Sequence, residues 1–286
     1  MHFISNILLL VLFIALVLFF IRMFQTNWNI IKIFDFSYQP YQRDYDLYQK
    51  AINVNNTKTA YVSMTTLPER LQDEWFYNNL KRNLSLSGNF IIVLNVPHVS
   101  LKGIEYVIPD RIRKLEGDKF VIHRCDDEGP ITKLLPTLRN TNIPDNSPII
   151  IVDDDIVYRQ NIFRVLNSGI HKYPSKVMSM CNDNNPIEGF KGFGFIKQTL
   201  KGLLGVDIPK SCIRIDDDVI STYIKHNNIS VVVLPYDGET SSFCSMERGE
   251  TDTHPEWGEL GSDNRSPMQK QCVNELVNSF IPTCSR

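Results

Sequence analysis

An α/β fold is what this sequence predicts: a mixed but mostly parallel sheet flanked by helices and preceded by one transmembrane helix. Three observations carry the prediction. From Thr59 onward, short β-branched runs alternate with helical stretches, each unit short enough for a right-handed crossover. Ile149-Ile150-Ile151-Val152, opened by Pro148, is a branched apolar run suited to a strand buried on both faces. Phe3 to Ile21 holds about 19 residues without a charge, close to the roughly 20 that cross a bilayer as a helix.

The apolar stretch comes first in the chain. Its flank, Phe19-Phe20-Ile21-Arg22-Met23-Phe24, offers no small-x-small cleavage site, so it reads as a single-pass anchor in preference to a signal peptide. Arg22 and Lys32 follow it and only the amino terminus and His2 precede it. The positive-inside rule therefore leans toward a cytoplasmic body and leaves the side open. Residues 1–24 are assigned to tip and anchor. Residues 25–58, polar and rich in tyrosine (Tyr38, Tyr41, Tyr45, Tyr48) without a sustained period, are assigned to a stem; a segment packed on the body is the other reading. Residues 59–286 form the globular domain, with one half about 59–155 and the other about 156–286.

Within that domain Ala60 to Met64 reads as the first strand, and Leu67 to Leu86 as a helix with Pro68 in its first turn. Phe90 to Val96 and Lys119 to His123 are further strands. Ile131 to Arg139 is a helix after Gly129-Pro130, and Asn161 to His171 is another. Val177 to Cys181 and Ile229 to Leu234 are strands. Gly189-Phe190-Lys191-Gly192-Phe193-Gly194-Phe195 alternates glycine with bulkier residues and reads as a loop, lying against a ligand or forming a buried turn.

Composition narrows the function. The chain has 286 residues, 43% of them hydrophobic and 22% charged, with a formal charge of -2 and no long basic run, which argues against nucleic acid as a partner. Its six cysteines show no CxxC spacing; this disfavours a zinc or thioredoxin-like site and leaves disulfides open. Glycosylation acceptor patterns at Asn55, Asn83, Asn228 and Asn264 carry little weight in a chain this rich in asparagine.

Chemistry concentrates in two acidic clusters. Asp153-Asp154-Asp155 directly follows the apolar strand, where ligand sites of open α/β sheets lie. In an extended segment Asp153 and Asp155 share one side and Asp154 takes the other. Two carboxylates about 5 Å apart repel by roughly 3 kcal/mol at an effective dielectric near 20, a cost that a divalent cation reverses. The plainer reading is a solvated turn with Asp155 as a helix cap. Asp216-Asp217-Asp218 precedes Val219, Ile220, Tyr223 and Ile224, a helical spacing, and so lies at a helix start. Capping explains one of the three aspartates; a carboxylate held there in a cleft also suits a general base.

Four blocks in order, Thr65-Thr66-Leu67-Pro68-Glu69-Arg70, Asp127 to Pro136, Val152 to Asp155, and Asp216-Asp217, resemble nucleotide-sugar glycosyltransferases of the GT-A (Rossmann-like) fold. The resemblance is to a family-2-like group seen in bacteria and large DNA viruses, and it covers about Thr59 to Leu234. It implies an Asp-x-Asp element holding Mn²⁺ or Mg²⁺ against the diphosphate of a sugar donor. Asp155 would be the principal ligand, with Asp153 and Asp154 on the metal's waters or on the ribose and sugar of the donor, Asp153 also counted among the metal ligands. Thr65, Arg70 and Lys133 are implied on the donor side, Arg70 and Lys133 having solvated surface charges as their plainer reading. Asp217 is implied as the base acting on an acceptor hydroxyl, with Asp216 the cap or the alternative. The sequence departs from the family in its third aspartate and in Val219, which stands where the family usually has Trp. His254 is implied as a third metal ligand. The partners implied are a nucleoside-diphosphate sugar, a glycan, protein or lipid acceptor, and the membrane through the anchor. The rivals are an inactive glycan-binding membrane protein and a sugar nucleotidyltransferase; the latter ordinarily needs a glycine-rich loop where Ser63 to Pro68 has no glycine.

Overall fold

The computed structural model describes residues 42–43, 58–180, 187, 189–234 and 255–280, the side chains of the last stretch from 267 onward. The anchor expected at 3–21 and His254 lie outside the described residues. Among the described residues no helix is long and apolar enough to cross a membrane.

In chain order the strands are β1 (Gln42–Arg43), β2 (Ala60–Thr65), β3 (Phe90–Pro97), β4 (Phe120–Cys125), β5 (Pro148–Ile151), β6 (Val177–Ser179), β7 (Phe193–Ile196) and β8 (Val231–Val233). They form one sheet in the order β1-β8-β6-β7-β5-β2-β3-β4. All neighbours are parallel except at β7, which runs antiparallel to both β5 and β6. The helices are α1 (Pro68–Leu71), α2 (Glu74–Leu84), α3 (Asp110–Arg113), α4 (Leu135–Arg139), α5 (Ile162–Lys172), α6 (Lys197–Leu200), α7 (Asp216–His226) and α8 (Pro255–Phe280).

The sheet divides two apolar layers, and β5 shows why its four residues are all branched. Ile150 packs with Val62, Phe163 and Ile170 on one face; Ile149 and Ile151 pack with Phe193, Phe195 and Val219 on the other. All three isoleucines are fully buried, so a polar residue at any of them would enter a dry layer.

Four expectations are corrected. The helix read from Leu67 to Leu86 is two helices, because Asp73 leaves helical geometry and its side chain accepts the Trp75 N–H at 3.0 Å, starting a second helix. The helix read from Ile131 is a 3₁₀ turn (Ile131–Lys133) followed by α4, since Pro136 has no N–H to bond back to Thr132. The glycine-aromatic stretch is a 3₁₀ turn (Gly189–Lys191) followed by β7, where the period of two is a strand's and buries Phe193 and Phe195 on one face with ring centroids 6.0 Å apart. Gly194 sits between them on the opposite face, where a Cβ would lie 2.8 Å from Ile170 Cδ1, so glycine lets α5 close onto the sheet. Part of the stem also joins the sheet, Gln42 and Arg43 pairing with Val232 and Val233.

Candidate active site

The site forms at the carboxyl ends of β5 and β2, where the sheet stops and the segments carrying Thr66 and Arg70, Lys133, the Asp153–Asp155 triplet, Gly189, and Asp216 and Asp217 converge. β5 ends at Ile151 and the chain turns at Asp154 and Asp155, so the triplet is not extended. The sidedness read from the sequence therefore fails. Asp154 and Asp155 share one cation, and Asp153 faces another.

Arg70, from α1, donates from Nη1 to Asp154 Oδ1 and from Nη2 to Asp155 Oδ2, the second bond 3.2 Å long. Thr66 adds its hydroxyl to Asp154 Oδ2 at 2.6 Å. Asp154 is thus enclosed, its side chain 7% exposed, and burial raises its carboxyl to about 6 with Arg70 opposing. Arg70 is mostly buried, with its side chain 13% exposed, so the solvated-surface reading does not hold for it. Burial works against its charge, but Asp154 and Asp155 outweigh burial and raise its pKa.

Lys133 reaches the site from the 3₁₀ turn, whose backbone is fixed from below: Ser63 Oγ donates to the Lys133 carbonyl at 2.6 Å. Asn95 in turn donates to Ser63 Oγ and Thr137 Oγ1 at 2.9 and 3.0 Å. The Lys133 ammonium lies 2.7 Å from both Asp153 Oδ1 and Asp216 Oδ2, with its side chain 6% exposed. Burial opposes its charge, and the two carboxylates nevertheless hold it well above the ordinary lysine value. This one cation joins the two acidic clusters that the sequence keeps apart. Thr65 is not among the groups joined by these two cations; its hydroxyl donates to Asn95 O at 2.9 Å.

At the start of α7, Asp217 Oδ1 accepts the Gly189 N–H at 3.0 Å. Burial pushes the Asp217 carboxyl up to about 8; the Asp216 charge adds to this and Lys133 opposes it. Asp218 points elsewhere and accepts from Gln269 of α8 at 3.0 Å. Gly189 lies directly over the ion pair: a Cβ there would sit 2.2 Å from Lys133 Nζ and 3.0 Å from Asp153 Oδ1.

The backbone of the triplet is held separately. Asp153 N–H donates to Tyr158 Oη at 2.8 Å, and Asn79 donates to the carbonyls of Asp154 and Ile156 at 3.0 Å each. The sequence reading named neither Asn79 nor Tyr158, and it gave Thr66 and Gly189 only as members of longer stretches without a role of their own. A signal existed for Asn79, a polar residue in the buried stripe Phe76, Asn79, Leu80, Asn83 of α2; none existed for Tyr158.

The donor set suits a hard divalent cation. Asp153 and Asp155 are the more open members of the triplet, with side chains 27% and 25% exposed, and close enough that the Asp155 charge helps raise the Asp153 carboxyl behind the larger effect of burial. Mg²⁺-type sites take one or two carboxylates and complete their shell with phosphates and waters. No group of three His, Cys, Asp or Glu with metal-site geometry occurs among the described residues.

No protein-family model matches the chain, and no curated protein matches it. Solved structures similar in fold include a mannosyltransferase, PcManGT from Pyrobaculum calidifontis in complex with GDP-Man and Mn²⁺, at 11% identity and a TM-score of 0.45, covering 67% of this chain and 61% of that one. A cytidylyltransferase from Leptospira borgpetersenii is similar at 12% identity and a TM-score of 0.48, over 81% of this chain and 100% of that one. TarS from S. aureus in complex with UDP-GlcNAc is similar at 14% identity and a TM-score of 0.43, over 78% and 72%. This chain thus spans less than two thirds of the mannosyltransferase's length, and its own site geometry carries the functional reading.

Proposed function

We propose that this chain is a membrane-anchored glycosyltransferase that moves a sugar from a nucleoside-diphosphate donor to an acceptor hydroxyl with the help of Mn²⁺ or Mg²⁺. One observation carries the reading: carboxylates from the end of β5 and the start of α7 meet on a single buried lysine at the carboxyl ends of the strands. Asp153 and Asp155 would hold the cation, which supplies Lewis-acid stabilisation to the departing diphosphate.

The chain's own groups account for the remainder. Arg70 and Lys133 are cations already in place beside the carboxylates, and a diphosphate entering there gives them a new anionic partner. Asp217 keeps Oδ1 on the Gly189 N–H, and Oδ2 takes the acceptor's proton. A carboxyl at about 8 is strongly basic for its type, which suits abstraction of a proton from an alcohol near neutral pH. Its ionised fraction grows as pH rises toward 8, so turnover should rise over the same range.

The test is a panel of UDP-, GDP-, CDP- and dTDP-sugars offered to the full chain, with Mn²⁺ and then with EDTA, reading released nucleotide and glycosylated acceptor. Turnover of one donor that disappears with EDTA is expected. Asp155→Asn should stay folded and lose the Mn²⁺-linked part of nucleotide affinity. Release of pyrophosphate from a nucleoside triphosphate and a sugar phosphate, without transfer to an acceptor, would replace this reading with nucleotidyl transfer.

A further inference from the structure

Every carboxylate of the triplet is paired with a cation that the proposed donor would attract. Arg70 holds Asp154 and Asp155, and Lys133 holds Asp153 and Asp216. If those pairs alone fixed the turn, a diphosphate drawing Arg70 and Lys133 toward itself would release the carboxylates at the moment a metal needs them. The backbone is held by other means. Asn79 (5% exposed) spends both amide hydrogens on the carbonyls of Asp154 and Ile156, and the fully buried Tyr158 accepts the Asp153 N–H.

We infer that Asn79 and Tyr158 are positioning residues: a backbone brace that keeps Asp153 and Asp155 in place while Arg70 and Lys133 exchange their carboxylate partners for the donor diphosphate. The inference rests on the metal-dependent reading above. Three features favour it. The bonds run to main-chain atoms, so they leave all six carboxylate oxygens of the triplet free of the brace. They come from α2 on one side and from the chain just past the turn on the other, clamping residues 153 to 156 at both ends. Asn79 also lies on the buried stripe of α2 with Phe76, Leu80 and Asn83; its Oδ1 has no partner among the described residues, while both amide hydrogens are committed to the two carbonyls of the turn.

The experiment compares the full chain with Asn79→Leu, which keeps the branched shape and removes both donors, and with Tyr158→Phe, which removes only the hydroxyl. UDP, GDP, CDP and dTDP are titrated into each protein with Mn²⁺ and with EDTA, far below the melting temperature, and the ratio of the two affinities is read. The ratio should fall at least about tenfold in each variant while affinity in EDTA stays near that of the unaltered chain. A residue that merely supports the fold lowers the melting temperature and leaves the ratio unchanged, and that result in Tyr158→Phe overturns the brace even if Asn79→Leu fails to fold. A ratio near one for all four nucleotides in the unaltered chain overturns the metal-dependent reading itself, and the brace with it.

Discussion

At the scale of single residues, Lys133 has the most to lose. It lies between two carboxylates in a site that admits little water, so removing its charge leaves both uncompensated. Lys133→Met is expected to cost about 3–5 kcal/mol in denaturant unfolding, the range for breaking a buried pair from one side. The loss should be larger at pH 8 than at pH 5, because Asp153, its carboxyl already raised by burial, takes up a proton more readily once its cation is gone. Asp217 gives a second pH signature. Its folded carboxyl lies near 8 against about 4 unfolded, so between those values the folded state holds a proton that the unfolded state has lost. Its contribution is full below pH 4 and is lost as pH rises through 8. Asp217→Asn should therefore melt level with the parent at pH 4 and a few degrees above it at pH 8, while kcat falls roughly 10²-fold or more. A parent and a variant that melt in parallel across that range would deny Asp217 its raised value.

At the scale of elements, two contacts set the geometry. Gly189 brings its backbone over Lys133, so Gly189→Ala forces the ammonium off Asp153 and Asp216. Turnover should drop at least about tenfold with a stability loss of about 1–3 kcal/mol, as for other overpacked sites; unchanged turnover would place Lys133 outside the chemistry. The second contact is the hold of α8 on α7 and on the segment leading into it. The Cys212–Cys272 disulfide, the Ser211–Glu275 hydrogen bond and Phe280 against Tyr223 and His226 fasten the helix there. The bridge spans 60 residues, and Cys272→Ser should cost about 2–4 kcal/mol by thermal or urea unfolding. Elements with one clear period were legible in the sequence: β5 as a branched run, and α7 as an apolar stripe behind three aspartates. The reversal of β7 was not, because glycine alternating with an aromatic residue reads alike in a loop and in a strand. The partner of each carboxylate was not legible either, since Lys133 meets Asp153 and Asp216 only through tertiary folding.

At the scale of the whole molecule, Gln42 and Arg43 of the expected stem extend the sheet. Gln42 and Arg43 cover the edge of β8, so a chain beginning at Tyr41 should be soluble and keep its turnover. One beginning at Lys58 should expose that edge and self-associate, as read by light scattering. Equal behaviour of the two truncations would reduce β1 to an incidental contact. The shared lysine also sets an order in time. Lys133 and Asp153 leave the ribosome close together, but Asp216 follows roughly 60 residues later, about 3–12 s at ordinary elongation rates. For those seconds the growing chain carries a lysine with half its final counter-charge, and the pocket cannot close and dry until α7 arrives. Synthesis thus completes the acid side of the site last, and a nascent chain stopped before Asp216 should leave Lys133 open to amine-reactive labels that the finished protein resists.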